Sequence, residues 1–186
     1  MEPQAELLEK VLASAGPGPQ SQLRILQGKN ATLAGVNTSL VAMRPQILHY
    51  VGPSPTTGPF GGVLFLVKES MEAAKVLLSE LGGGLREAGT SIIVFAGHDP
   101  DPSVTSGFAG GVLDTGIHAM LTPLRKVPDN ATLTFTGRFY SQLAGGATVE
   151  RAVIEARRAL AEVNEDWPAF ALYSRTRDLQ NLRLVS

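Results

Sequence analysis

Two histidines, a serine and an aspartate carry the side chains best placed for chemistry. His49 ends the apolar run "QIL" and opens the turn "HYVGPSP", which holds Ser54. His98 and Asp99 begin "HDPDPS", a second proline-stiffened loop. Both loops follow apolar runs of strand type, so both are expected at one rim of a sheet. A hydrolytic site there would use Ser54 or Thr56 as nucleophile, His49 or His98 as base and Asp99 as orienting group. The local pattern argues against it. Ser54 lies between two prolines without a G-x-S-x-G elbow, and neighbours on an extended segment, such as His98 and Asp99, point apart. His49, His98 and Asp99 offer three nitrogen or oxygen ligands, but no helical H-x-x-x-H spacing supports a metal. Asp99 and Asp101 lack the ligand series of a calcium loop. No metal and no cofactor is therefore expected. The expected role of His49 is structural, a strand-end histidine donating to a backbone carbonyl. His118 is expected in mid-strand. The chain contains no cysteine, which excludes disulfides, thiolate metal sites and a cysteine nucleophile.

These loops need elements to hold them. "EPQAELLEKVLASA" places Leu7, Leu8, Val11 and Leu12 on one helical face, and "GPGPQS" ends that helix as a hinge. "QLRILQG" alternates like a strand. "ATLAGVNTSLVAM" reads as a helix capped near Asn30 or Thr32. "PQILHYVG" and "GVLFLVK" follow as strands, separated by a Pro/Gly loop. "ESMEAAKVLLSELGGGLREAG" predicts one helix, broken at Gly82–Gly84. The "GGG" lacks the Lys-Ser/Thr of a phosphate-binding loop. "TSIIVFAG" has the five-residue apolar core of a parallel strand. "VTSGFAGGVLDTG" is a small-residue helix, "IHAMLTPL" a strand, and "NATLTFTGRFYSQLAGG" and "TVERAVIEARRALAEV" amphipathic helices. On the second of these, Glu155–Arg158 and Arg158–Glu162 are expected surface pairs. "PAFALYSRT" is the last strand, with "LQNLRLVS" beside it.

Alternating strands and helices predict one α/β domain with a mainly parallel sheet covered on both faces. The expected organisation is a single domain over 1–186: a helix and hinge at 1–19, a core at 20–175 and a tail at 176–186. A formal charge of −1 over 186 residues gives no reason to expect nucleic acid or an anionic membrane surface as a partner. The acidic N-terminus lacks the features of a secretory signal, and no apolar run approaches the roughly 20 residues that span a bilayer. The three N-x-S/T triplets are then chance, and the default location is cytoplasmic.

The residues from about 20 to 175 resemble the CHAT family of caspase-like peptidases. The resemblance rests on Met120, Phe139-Tyr140, Leu143-Ala144, Gly146, Ala152, Ala156-Arg157, Ala159-Leu160 and Trp167-Pro168. "RPQILHYVG" is similar to the family strand that runs into its histidine motif, and "GTSIIVFAG" to the strand that runs into its cysteine. The resemblance implies a caspase-hemoglobinase-like fold, a three-layer α/β/α sandwich around a mainly parallel six-stranded sheet. It also implies a His-Cys dyad at the carboxyl ends of two adjacent strands. On this chain the histidine position falls on Pro53 and the cysteine position on Gly97 or His98. Proline has no titratable group and the alternatives have no thiol, so a degenerate member without peptidase chemistry is expected. The vacated cleft, at loops 52–61 and 97–104, would bind a protein partner, with His49, Tyr50, Ser54, Phe60, His98, Asp99 and Phe108 as candidate lining. Tyr50, Phe60 and Phe108 would be its aromatic anchors. A bacterial defence or signalling assembly, and a homodimer through the last strand at 169–175, are further expectations from the resemblance. Arg157, at a position the family marks, is expected to be partly buried and to anchor a loop carbonyl.

Overall fold

A computed structural model describes residues 2–14, 22–53, 62–96, 102–163 and 165–175. In chain order its regular elements are α1 (Glu2–Ser14), α2 (Leu33–Met43), β1 (Ile47–Tyr50), β2 (Val63–Val67), β3 (Ala73–Leu77) and α3 (Leu78–Ala88). They continue with β4 (Ile92–Phe95), α4 (Pro102–Asp114), β5 (Ala119–Pro123), α5 (Asp129–Ala144), α6 (Val149–Ala161) and β6 (Phe170–Ser174). Short 3-10 turns lie at Gly28–Asn30 and Trp167–Ala169. Two compact units result, each built from more than one stretch of the chain.

One unit, Leu26–Lys126 with Ala171–Arg175, holds the strands. A four-stranded sheet has the order β1-β4-β5-β6. β1 and β4 are parallel, with Ile47 opposite Ile92 and Tyr50 opposite Phe95. β4 and β5 are also parallel, with Ile92 opposite Ala119. The expectation of six strands in one sheet is corrected here. Among the described residues there are six strands, but β2 and β3 form a separate antiparallel pair.

Two local causes explain the difference. The expected strand "QLRILQG" joins no ladder: residues 22–27 have no regular structure and lead into the 3-10 turn. The composition of "MEAAKVL" predicts a helix, and instead the chain reverses at Lys68–Met71 and pairs back. Met71 N–H donates to Lys68 O at 2.9 Å, Lys68 N–H donates to Glu72 O at 2.8 Å, and Met71 takes a φ of 69°. That is a three-residue hairpin connection closed by a left-handed residue. The buried Leu64 and Val76 sit opposite each other across the hairpin. Tertiary burial thus overrides the helix-forming Ala, Glu and Lys of this stretch.

The helix begins only at Leu78, where the Leu77 N–H donates to Glu80 Oε2 at 2.7 Å. α3 then runs unbroken through Gly82–Gly84. Thr32 caps α2 as expected, its side chain accepting from Gly35 N–H at 3.0 Å. Leu40, Leu64, Leu81, Leu85, Ile93, Phe95, Phe108 and Met120 form the core of this unit, with Leu48, Tyr50 and Tyr173 packed on it.

The other unit joins the described residues of 1–25 to 127–170. α5 and α6 pack together through Phe135, Phe139, Leu143, Val149, Ala152, Val153, Ala156 and Leu160, all buried. Phe135 stacks on Phe170 at a centroid distance of 3.9 Å. Thr148 caps α6, accepting from Arg151 N–H at 3.3 Å. The expected Glu155–Arg158 pair is present at 2.9 Å, but Glu155 also holds Arg151 at 2.7 Å. No pair joins Arg158 to Glu162 among the described residues. The stretch 179–186, expected beside the last strand, lies outside them.

Candidate functional site

The site suggested by the sequence depends on β1 and β4 ending together, and they do. Ala96 N–H donates to Tyr50 O at 2.9 Å, extending the ladder to the last residue of β1. The carboxyl ends of both strands therefore lie at the same edge of the sheet, where parallel sheets concentrate their loop chemistry. Pro53 stands three residues beyond Tyr50 and is exposed. Ser54, Thr56, Phe60, Gly97, His98 and Asp99 lie outside the described residues.

Tyr50 organises what is described. Its hydroxyl lies 3.1 Å from Phe65 O and 3.3 Å from Pro53 O, and it accepts the Phe65 N–H at 3.3 Å. Side chains alternate along a strand, so Tyr50 shares its face of β1 with Leu48 and the core of this unit. Its ring meets Phe95 edge-on at 5.8 Å, and Phe95 meets Phe108 edge-on at 5.0 Å. Burial pushes the Tyr50 pKa up, against the smaller downward pull of the Phe65 backbone bond. The ring also folds back over Gly52, where a Cβ would lie 2.6 Å from the phenol oxygen. The turn after β1 can close this tightly only because residue 52 has no side chain.

The expectation of an aromatic rim is corrected at one of its three positions. Phe108 is 1 % exposed and is a core residue. Tyr50 is half-buried with its hydroxyl engaged. Helix α4 turns Phe108 inward, which the small-residue composition of that helix did not reveal.

His49 is the third of four residues in β1, opposite Val94, and not a residue of the turn. It points to the face away from Tyr50, so the two cannot line one cleft from within the strand. Burial lowers its pKa to about 4, which makes it neutral at neutral pH. His118 is exposed and precedes β5, correcting its expected mid-strand place. Among the described residues no three His, Cys, Asp or Glu side chains gather as a metal site. No described helix is long and apolar enough to cross a membrane.

In the helical unit, Arg157 does what its position in the sequence suggested. It is half-buried, and its Nε and Nη2 both donate to Phe170 O, the former at 3.1 Å. Burial lowers its pKa. The carbonyl belongs to the first residue of β6, so the guanidinium fixes where that strand begins. Arg157→Ala is expected to cost about 2 kcal/mol, the scale of a hydrogen bond to a charged group. Chemical denaturation would measure it, and Arg157→Lys, with one donor head in place of a fork, should recover only part. A loss indistinguishable from zero would mean that water replaces the guanidinium without penalty.

A family model described as CHAT domain matches residues 3–175. No curated protein matches the chain.

Proposed function

We propose a function from one premise: the chain belongs to the CHAT domain family. That family has a caspase-like peptidase fold, and the parallel β1–β4 pair agrees with it. In our reading the chain is a pseudopeptidase. It keeps the frame and has lost the cutting chemistry, and it acts as a protein-binding or assembly module. The observation that carries this is the absence of any cysteine from the 186 residues. The family's chemistry requires a thiolate, and no other side chain supplies one. Pro53 at the base position supports the same conclusion, because proline neither accepts nor donates a catalytic proton. His49 is no substitute: a base held near pKa 4 removes protons weakly at neutral pH.

The partner in this reading is a separate polypeptide in the cytoplasm, of the kind found in bacterial defence or signalling complexes. A second copy meeting the first through β6, which ends the sheet order, is a further way to assemble. The test is turnover. Purified protein should leave a broad peptide library intact and take no label from fluorophosphonate or acyloxymethyl ketone probes. Cleavage that disappears on mutating Ser54, His49 or His98 would replace this reading with a hydrolase of new nucleophile. Gel filtration alone and after mixing with host extract would then separate monomer, homodimer and hetero-complex.

A further inference from the structure

Two large apolar side chains stand in water where α6 ends. Val163 is 70 % exposed, and Trp167, the single tryptophan of the chain, is 46 % exposed. Pro168 is exposed beside it. Tryptophan is among the more buried residues on average. Here the 3-10 turn Trp167–Ala169 packs on α6 and still leaves the ring half in solvent. The charges of this stretch are of one sign: Glu162, Glu165 and Asp166 fall between Ala161 and Trp167, with no Lys or Arg. The nearest bases in the sequence are engaged elsewhere. Arg157 holds Phe170 O, and Arg158 turns back to Glu155 at 2.9 Å. Glu162 is also the C-cap of α6, at the negative end of the helix dipole, where a cation is favoured and a carboxylate is not. An indole face left in water and a carboxylate at the wrong end of a helix both forgo stability at one place. A cation on an apolar stem relieves both.

We propose that the end of α6 is a docking surface for a basic segment of a partner protein, with an arginine laid on the Trp167 ring and the carboxylates of Glu162 and Glu165 beside it. Indole is the best aromatic face for a cation, and a guanidinium stacks on it. The charge meets the carboxylates and the α6 dipole together, while the methylene stem covers apolar surface such as Val163. An acidic segment would meet like charge here. The proposal supplies the chemistry of the partner that the assembly reading requires, and rests on that reading only in there being a partner. The surface belongs to the helical unit, whereas Pro53 belongs to the other.

The lone tryptophan supplies the readout, since all indole emission comes from Trp167. The full chain is titrated at low salt with the capped peptide acetyl-Arg-Leu-Arg-Leu-Arg-amide, and with its counterpart carrying Glu for Arg. The basic peptide should change the emission saturably, with a dissociation constant of about 1 mM or lower, and bind more weakly as salt is added. The acidic peptide should leave the emission unchanged. Glu162→Gln combined with Glu165→Gln should raise the dissociation constant about tenfold, within the range that two exposed ion pairs span. The same double variant should keep or raise the urea midpoint, because it removes charge from the wrong end of α6. Weaker binding at undiminished stability is the mark of a docking surface. No response at about 1 mM basic peptide would overturn the proposal, and so would equal binding by the double variant. A lowered midpoint would overturn it too, by making the carboxylates structural. Emission that changes with protein concentration alone would give the surface to a second copy instead. Peptide hydrolysis is scored separately, so detected turnover would sink the pseudopeptidase reading and leave this one standing.

Discussion

Gly62→Ala is expected to destabilise the protein by about 3 kcal/mol or more. Two costs combine. Gly62 has a φ of 150°, a conformation that side chains rarely adopt, and holding one there costs about 1–3 kcal/mol. The new Cβ would also be driven into the ring of Phe108, and overpacking a core costs about 1–3 kcal/mol. Neither side can easily yield. Phe108 is buried edge-on against Phe95 at 5.0 Å, and the Gly62 carbonyl is tied to Leu78 N–H at 2.9 Å. Urea denaturation should show a lowered midpoint with an unchanged slope. Adding Phe108→Leu should recover the steric part and leave the backbone part, so the two substitutions will not be additive. A loss below about 1 kcal/mol would show that the ring has room to move.

Acidification should weaken the fold through His49. Burial holds its folded pKa at about 4, below the ordinary histidine value of 6.5. The unfolded chain therefore binds the proton first. The stability due to neutral His49 is complete above about pH 6.5 and is lost as pH falls toward 4, with no further loss below that. The ceiling is about 3 kcal/mol, because each tenfold change in proton affinity is worth about 1.36 kcal/mol. Against a typical total of about 5–15 kcal/mol this is large. Carboxylates also titrate below pH 5, so the decisive comparison is with His49→Gln. That variant should lose less stability than wild type between pH 6.5 and 4.5. Parallel slopes for the two proteins would mean that His49 is solvated enough to protonate in place.

Most of the helices and the buried strands were legible because their patterns were strong. The cap at Thr32, the apolar run of β4 and the two amphipathic helices α5 and α6 each follow from local chemistry. Arg157 was legible from its place in the family pattern, and a half-buried guanidinium on a carbonyl is what was found. The hairpin was not legible. Residues 73–77 have helix-forming composition, and only the burial of Val76 opposite Leu64 and the reversal at Met71 make them a strand. Ordinary propensity is worth under about 1 kcal/mol per residue, and such burial exceeds it.

The candidate site was legible in its address and not in its furniture. The meeting of β1 and β4 followed from the resemblance, and the ladder between them is present. Which side chains face the crevice depends on strand parity and helix rotation. A shift of one residue decides whether His49 or Tyr50 shares a face with the core. That parity sets Tyr50 inward, and the rotation of α4 takes Phe108 from the rim.

The β2–β3 hairpin lies inside the crossover that joins β1 to β4. Its two strands are near neighbours in the chain, so pairing them closes a short loop, on a timescale of about 1–10 μs. Ile47 meets Ile92 only after about 45 residues have been drawn together, a closure with a higher entropic barrier. The two ladders of this unit thus differ in the entropy each must offset on closing: the hairpin is a local pairing, while the parallel ladder ties together segments that the whole crossover separates.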